Sequence, residues 1–165
     1  MVIKMNKDSN ILISFLITAK MQTYANENAP KTNSSRLGSK DYEFSEETEL
    51  GTMVYHDTYF GGINFLGEEV VYINSDVPCW GMNYYGNTIS NINEDIMDKI
   101  LRPALMLVGT DQSVIPVRGP SLFENEEYKY TFKTEGTIDN FTGIEEIHKG
   151  KELIYRLRCQ GGKIN

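Results

Sequence analysis

YHDTYFGGINFLGEEVVYINSDVPCWGMNYYG, residues Tyr55 to Gly86, is the stretch that decides the fold. It holds half of the chain's ten tyrosines, its only tryptophan and the adjacent carboxylates Glu68-Glu69. Just ahead of it and into it, Met53, Tyr55, Asp57 and Tyr59 alternate with Val54, His56, Thr58 and Phe60, the period of a strand. Aromatic residues fall on both faces, so this strand is read as central and covered on both sides. Gly61-Gly62 interrupts it, as a bulge or where another backbone or a ligand comes close. Glu68 to Ile73 resumes as a strand, Asn74-Ser75-Asp76 turns, and Cys79 to Tyr85 returns antiparallel.

Toward the N-terminus, Ile11, Leu12, Phe15, Leu16 and Ala19 recur at three- and four-residue steps. That spacing predicts an amphipathic helix over about residues 10–24, with Ser9 as its cap. Lys4 and Lys7 before the apolar run, and Thr23-Tyr24-Ala25 after it, imitate a secretory signal. Asp8 at the front of the run, Lys20 at its end and the helical period favour the helix, and with it a cytoplasmic protein. Residues 26–40, NENAPKTNSSRLGSK, are polar and aperiodic and read as a long loop. In that loop Ser34, Ser35, Arg36, Ser39 and Lys40 gather hydroxyls and cations suited to an anion. Tyr42-Glu43-Phe44 opens the sheet.

Toward the C-terminus, Ile96, Ile100, Leu101, Ala104, Leu105 and Val108 form the stripe of a second helix over residues 93–108. Asn93 caps it, Glu94 and Asp95 suit its dipole, and Pro103 must kink it because proline donates no amide hydrogen. Arg118-Gly119-Pro120 follows in a loop. Residues 127–160 then read as a meander, with a hairpin at Lys149-Gly150-Lys151 and Leu153, Tyr155, Leu157 and Cys159 facing inward. The expected fold is α+β and a single domain, 1–165. It is a curved antiparallel sheet, as far as a partly open barrel, with two helices packed across one side. No internal repeat is read.

Composition limits what such a domain can do. The 165 residues carry 16 basic and 23 acidic side chains, a net charge of -7 that repels phosphate backbones. Direct nucleic-acid binding is therefore not expected, and no apolar run is long enough to span a bilayer. The two cysteines, Cys79 and Cys159, lack metal-ligand spacing and read as small buried hydrophobes. His56 and His148 have no second ligand at zinc spacing, so no metal and no cofactor are expected. Neither a phosphate-binding glycine loop nor a nucleophile elbow is present.

The residues that carry chemistry lie around the aromatic stretch. Glu68 and Glu69, being adjacent on a strand, face opposite sides, so one at most points into any pocket. Glu68, Asp57 and Glu145 are the candidate catalytic carboxylates, acting in pairs from neighbouring strands as acid and base. Tyr59, Trp80 and Tyr84 supply an aromatic wall and Asn83 an amide, the set that suits a nucleobase or another flat polar ring. Arg118, Ser35 and Arg36 are placed to meet an attached anionic group.

Seven blocks in order, AKMQTYA (19–25), SSRLGSKDYEF (34–44), DTYFGGINFLGEEVV (57–71), WGMNYYG (80–86), RGP (118–120), FTGIEEI (141–147) and CQGG (159–162), carry a resemblance. The chain resembles an uncharacterised bacterial domain family, found alone or behind an Xre-type helix-turn-helix in transcriptional regulators. Leu37 departs from it, standing where proline is more usual. The resemblance implies no reaction; it implies a small-molecule sensor where the domain is fused to a DNA reader. This chain shows no such reader, since its first helix is followed by a polar loop. The expected function is binding, to sense or sequester a polar, nucleotide-like ligand, rather than turnover. The alternatives are a hydrolase using a pocket carboxylate as general base, and an interaction module that works through protein contacts such as a homo-oligomer.

Overall fold

The computed structural model describes residues 7–74, 76–89 and 97–165. The expected start of the second helix, Asn93 to Ile96, and Ser75 of the predicted turn lie outside the described residues. Helix α1, Lys7–Gln22, precedes strands β1 (Lys40–Thr48), β2 (Gly51–Gly61), β3 (Asn64–Ile73) and β4 (Val77–Thr88). A π-helical turn, Met97–Leu101, runs into the short helix α2, Arg102–Leu105. Strands β5 (Leu122–Asn125), β6 (Tyr128–Thr137), β7 (Asn140–Lys149) and β8 (Glu152–Lys163) complete the chain.

The strands form one antiparallel sheet in the order β1-β2-β3-β4-β8-β7-β6-β5, so β1 and β5 are its edges and it is not closed. The architecture is α+β. Each helical segment packs beside the outer strands of the meander that follows it, α1 on β1 and β2, the π-turn on β5 and β6. This inner face carries the core: Phe15, Leu16 and Ala19 of α1 meet Tyr55, Trp80, Phe132, Tyr155 and Leu157 of the sheet, all buried. The Phe and Leu side chains among them contribute about 1.5–3 kcal/mol each by leaving water.

Several expectations need correction. Ser9 lies inside α1 rather than ahead of it. Pro103 does break the second helix: π-turn and α-turn meet at Leu101-Arg102, and the Lys99 carbonyl that Pro103 cannot serve accepts a bond from Asn125 Nδ2 at 3.0 Å. Strand β2 is one in from the edge, not central, and only part of its outer face is covered. The cover is the loop of residues 34–39, pinned by Asp41. That carboxylate accepts from Ser35 Oγ (2.6 Å), Ser39 Oγ (2.5 Å) and Thr58 Oγ1 (2.8 Å), with His56 Nε2 at 2.7 Å. Burial alone would raise its pKa, but these hydrogen bonds outweigh burial and hold it well below the usual carboxylate range.

The chain also contains the repeat that its sequence did not reveal: a helical segment and a four-stranded meander, twice. Strand registers superpose the halves. Tyr55 opposes Val71 as Tyr130 opposes Ile147, and Gly67 opposes Tyr84 as Gly143 opposes Cys159. Gly61 (φ 92°) and Gly136 (φ 97°) each close a hairpin where a Cβ would strike the carbonyl of Asn64 or Asn140. Phe65 of β3 stacks on Tyr155 of β8 at 6.1 Å, and Phe141 of β7 stacks on Trp80 of β4 at 6.0 Å. The pseudo-twofold axis passes between Tyr84 and Cys159, which pair across the β4–β8 seam. Its trace in the sequence is short: Asn-Phe-x-Gly-x-Glu at 64–69 and at 140–145.

Candidate functional site: a tyrosine-lined cavity

Between the helices and strands β2 to β4 lies a cavity of about 200 Å³. Its floor is built by register. Asp57 of β2 and Glu69 of β3 are directly opposed, and both face inward with 3% exposure. Directly opposed residues have Cβ atoms about 4.5–5.5 Å apart, so the two carboxyl groups share one small volume. Lys20 comes down from the last turn of α1 and forms a buried ion pair with Glu69. Tyr84 Oη donates to Asp57 Oδ1 at 2.7 Å. Tyr55 and Tyr59 from β2, Tyr24 beyond α1, and Tyr155 from β8 complete the wall, while Lys40, Gly61, Gly62 and Arg102 also line the cavity.

A second buried charge pair stands behind this floor. Arg118 forks onto Glu145, Nε to Oε2 at 2.9 Å and Nη2 to Oε1 at 2.6 Å. Tyr130 and Tyr155 donate to the same carboxylate at 2.6 and 2.8 Å. Glu145 is therefore saturated and 0% exposed. Burial works against the Arg118 charge, but Glu145 more than restores it and pushes its pKa well above the usual arginine value.

Unlike Glu69 and Glu145, Asp57 has no ion-pair partner among the described residues. Burial, then the neighbouring Glu69 charge, push its pKa up to about 7 against the opposing pull of Tyr84, Lys20 and Arg118. Its carboxyl group is thereby held toward the protonated form inside an aromatic cavity. Burial likewise raises the phenols of Tyr55, Tyr84 and Tyr155, so they remain hydrogen-bond donors at any ordinary pH.

The structure divides the residues singled out from sequence between two faces. Asp57, Tyr59, Tyr84 and Arg118 line the cavity, with Glu145 locked behind Arg118. Trp80 is on the inner face but in solid core, stacked on Phe141 with Nε1 donating to the Ile138 carbonyl at 2.9 Å. Glu68 and Asn83 oppose each other on the outer face, along an open groove with Thr142 and Gln160. They do not reach the cavity, because strand alternation sends Glu69 and Tyr84 inward and their neighbours outward. Arg36 joins Glu68 on that outer side at 3.5 Å, and Ser35 is spent on Asp41.

Sequence reasoning missed Lys20, Glu69, Tyr24 and Tyr55 as site residues. Lys20 was legible in principle, since it continues the Leu12–Leu16 stripe at the next four-residue step. No group of three or more His, Cys, Asp or Glu among the described residues is arranged to hold a metal ion. No helix among them is long and apolar enough to cross a membrane.

No curated protein and no solved structure matches the chain. A family model described as "Domain of unknown function (DUF5680)" matches residues 57–164, from the cavity aspartate to the end of β8. The match spans well over half of the chain, and the protein belongs to the DUF5680 family.

Proposed function

We propose that this domain binds a small polar ring compound in the cavity between α1, α2 and strands β2 to β4, and that it senses or sequesters that compound in the cytoplasm. The observation that carries this reading is a tyrosine-walled cavity whose floor holds a buried carboxyl group, Asp57, hydrogen-bonded by Tyr84 and without an ion-pair partner among the described residues. Stability alone favours filling such a space with apolar side chains, as the second half of the chain does with Phe132 and Cys159. A cavity of about 150 Å³ admits one benzene ring, so about 200 Å³ accommodates a ring with short substituents, base-sized rather than nucleotide-sized. Next to a helix-turn-helix module, the setting its family resemblance implies, occupancy of the cavity would set the state of the regulator.

Thermal shift and calorimetry against nucleobases, amino acids and heteroaromatic amines test this. A ligand at a hundredfold excess over its Kd adds about 2.7 kcal/mol. For a domain of this size that raises Tm by roughly 5–10 °C. A panel without any binder refutes the reading.

A second reading, a hydrolase with Asp57 as general base, is favoured by one observation: a base works best with a pKa near the working pH, and Asp57 sits at about 7 beside Glu69. It predicts turnover of a chromogenic ester or glycoside that Asp57→Asn abolishes. Absence of turnover across such substrates, with binding intact, removes it.

A further inference from the structure

Resting on the cavity as the binding site, we infer that its ligand is a compact organic cation, a single ring bearing an amidinium, aminopyridinium or ammonium group, held by the Asp57 carboxylate. The pseudo-twofold axis supplies the argument. Tyr55 and Glu69 in the first half correspond to Tyr130 and Glu145 in the second, and each glutamate is neutralised by one of the chain's own cations. Among the inward positions at which the halves differ, two reshape the floor: Asp57 stands where the second half has Phe132, and Tyr84 where it has Cys159. The substitution leaves a carboxyl group and a phenol lining a cavity, where the second half has a ring packed against Gly143.

Charge then selects the ligand. The groups facing Asp57 are Glu69 from β3, Tyr84 from β4, Lys20 from α1 and Arg118 from the segment before β5, with Tyr55 and Tyr59 on its own strand. Lys20 is engaged by Glu69, Arg118 by Glu145 and Arg102, over the Tyr24 ring, by Asp98, while Lys40 at the rim donates to the Gly61 carbonyl at 3.1 Å. Asp57 is thus the one buried carboxyl group of this cluster with no cation of its own among the described residues. Once ionised it leaves the buried floor, which excludes the rim cation Lys40, one negative charge in excess, which a monocation cancels and an anion aggravates.

The chain displays the geometry twice. Arg118 lies flat against a carboxylate capped by two tyrosines, and the Lys20 ammonium lies 5.7 Å from the Tyr55 ring centre. Binding of the cation to protonated Asp57 transfers the carboxyl proton to solvent, and the ligand's positive charge replaces it. Affinity must therefore rise with pH through the titration of Asp57, about tenfold between pH 6 and pH 8 for a group at about 7.

Three near-isosteric probes separate the possibilities in calorimetry on the intact protein: benzamidine (cation), benzamide (neutral) and benzoate (anion). The expected result at pH 8 is benzamidine bound at least tenfold more tightly than benzamide, and benzoate not bound. At pH 6 the benzamidine affinity falls about tenfold, and buffers of different ionisation enthalpy report close to one proton released. In Asp57→Asn, benzamidine and benzamide become equal and the pH dependence vanishes. Equal binding of benzamide and benzamidine to the unaltered protein, preference for benzoate, or an Asp57→Asn protein that keeps the preference overturns the cation and leaves the cavity as a binding site. Failure of all three probes at millimolar concentration overturns both.

Discussion

Asp57→Asn is expected to make this protein more stable, and increasingly so as the pH rises. The carboxyl group is 3% exposed and its pKa is pushed from an ordinary 3.8 up to about 7, first by burial and then by Glu69. A raised acid pKa means that the folded state holds a proton the unfolded state has lost. Stability is therefore full below the ordinary value and declines as the pH climbs through the folded one. At 1.36 kcal/mol per pKa unit the whole decline is on the order of 4 kcal/mol, more than half of it between pH 5 and pH 8. Asparagine keeps the shape and can accept the Tyr84 hydrogen bond, but never ionises. Urea denaturation of both proteins at pH 4, 5, 6, 7 and 8 reads the effect of the Asp57–Glu69 pair, because titrating groups remote from it cancel in the difference. The curves should nearly coincide at pH 4 and separate by roughly 4 kcal/mol at pH 8. A difference that stays constant within about 0.5 kcal/mol from pH 5 to pH 8 would show that Asp57 ionises like an exposed aspartate, and the polar floor would lose its basis.

Lys20→Met should cost about 3–5 kcal/mol in the same assay, since it strands the Glu69 charge in the interior; adding Glu69→Leu should recover most of the loss, and failure to recover would mean that Lys20 matters for packing alone. Gly67→Ala places a Cβ 2.6 Å from the Thr58 carbonyl oxygen and 2.5 Å from Tyr84 Oη, so it should destabilise by about 1–3 kcal/mol and disturb Asp57 through Tyr84. Tolerance of alanine there, read from the urea midpoint, would contradict the closeness of β2, β3 and β4. Glu68→Ala should change stability by under about 0.5 kcal/mol and leave probe binding unaltered, because Glu68 is exposed and its Arg36 contact is a long surface pair at 3.5 Å. Lost benzamidine binding in that variant would move the site to the outer face.

Strand periodicity, turn residues and the helical stripe of α1 were enough to read the α+β class, the sheet and the two helical segments from sequence, because alternation and 3.6-residue spacing are local properties of the chain. The same alternation declared that Glu68 and Glu69 must face apart, yet only the packed sheet says which of them faces in. Once Trp80, Met82 and Tyr84 are placed on the helix-covered face, register with β4 carries Val71, Glu69 and Gly67 inward with them, and Glu68 and Asn83 outward. What the sequence determined by itself was therefore a set of candidates: aspartate, glutamates, tyrosines and arginine on neighbouring strands. Tertiary structure decided their fates. It buried Lys20 against Glu69, spent Arg118 on Glu145 and Ser35 on Asp41, and paired the strands so that one half closed around Phe132 while the other kept Asp57 beside a cavity. Those outcomes depend on partners 27 to 49 residues apart in the chain for the two ion pairs, a range at which no local pattern of residues specifies a contact.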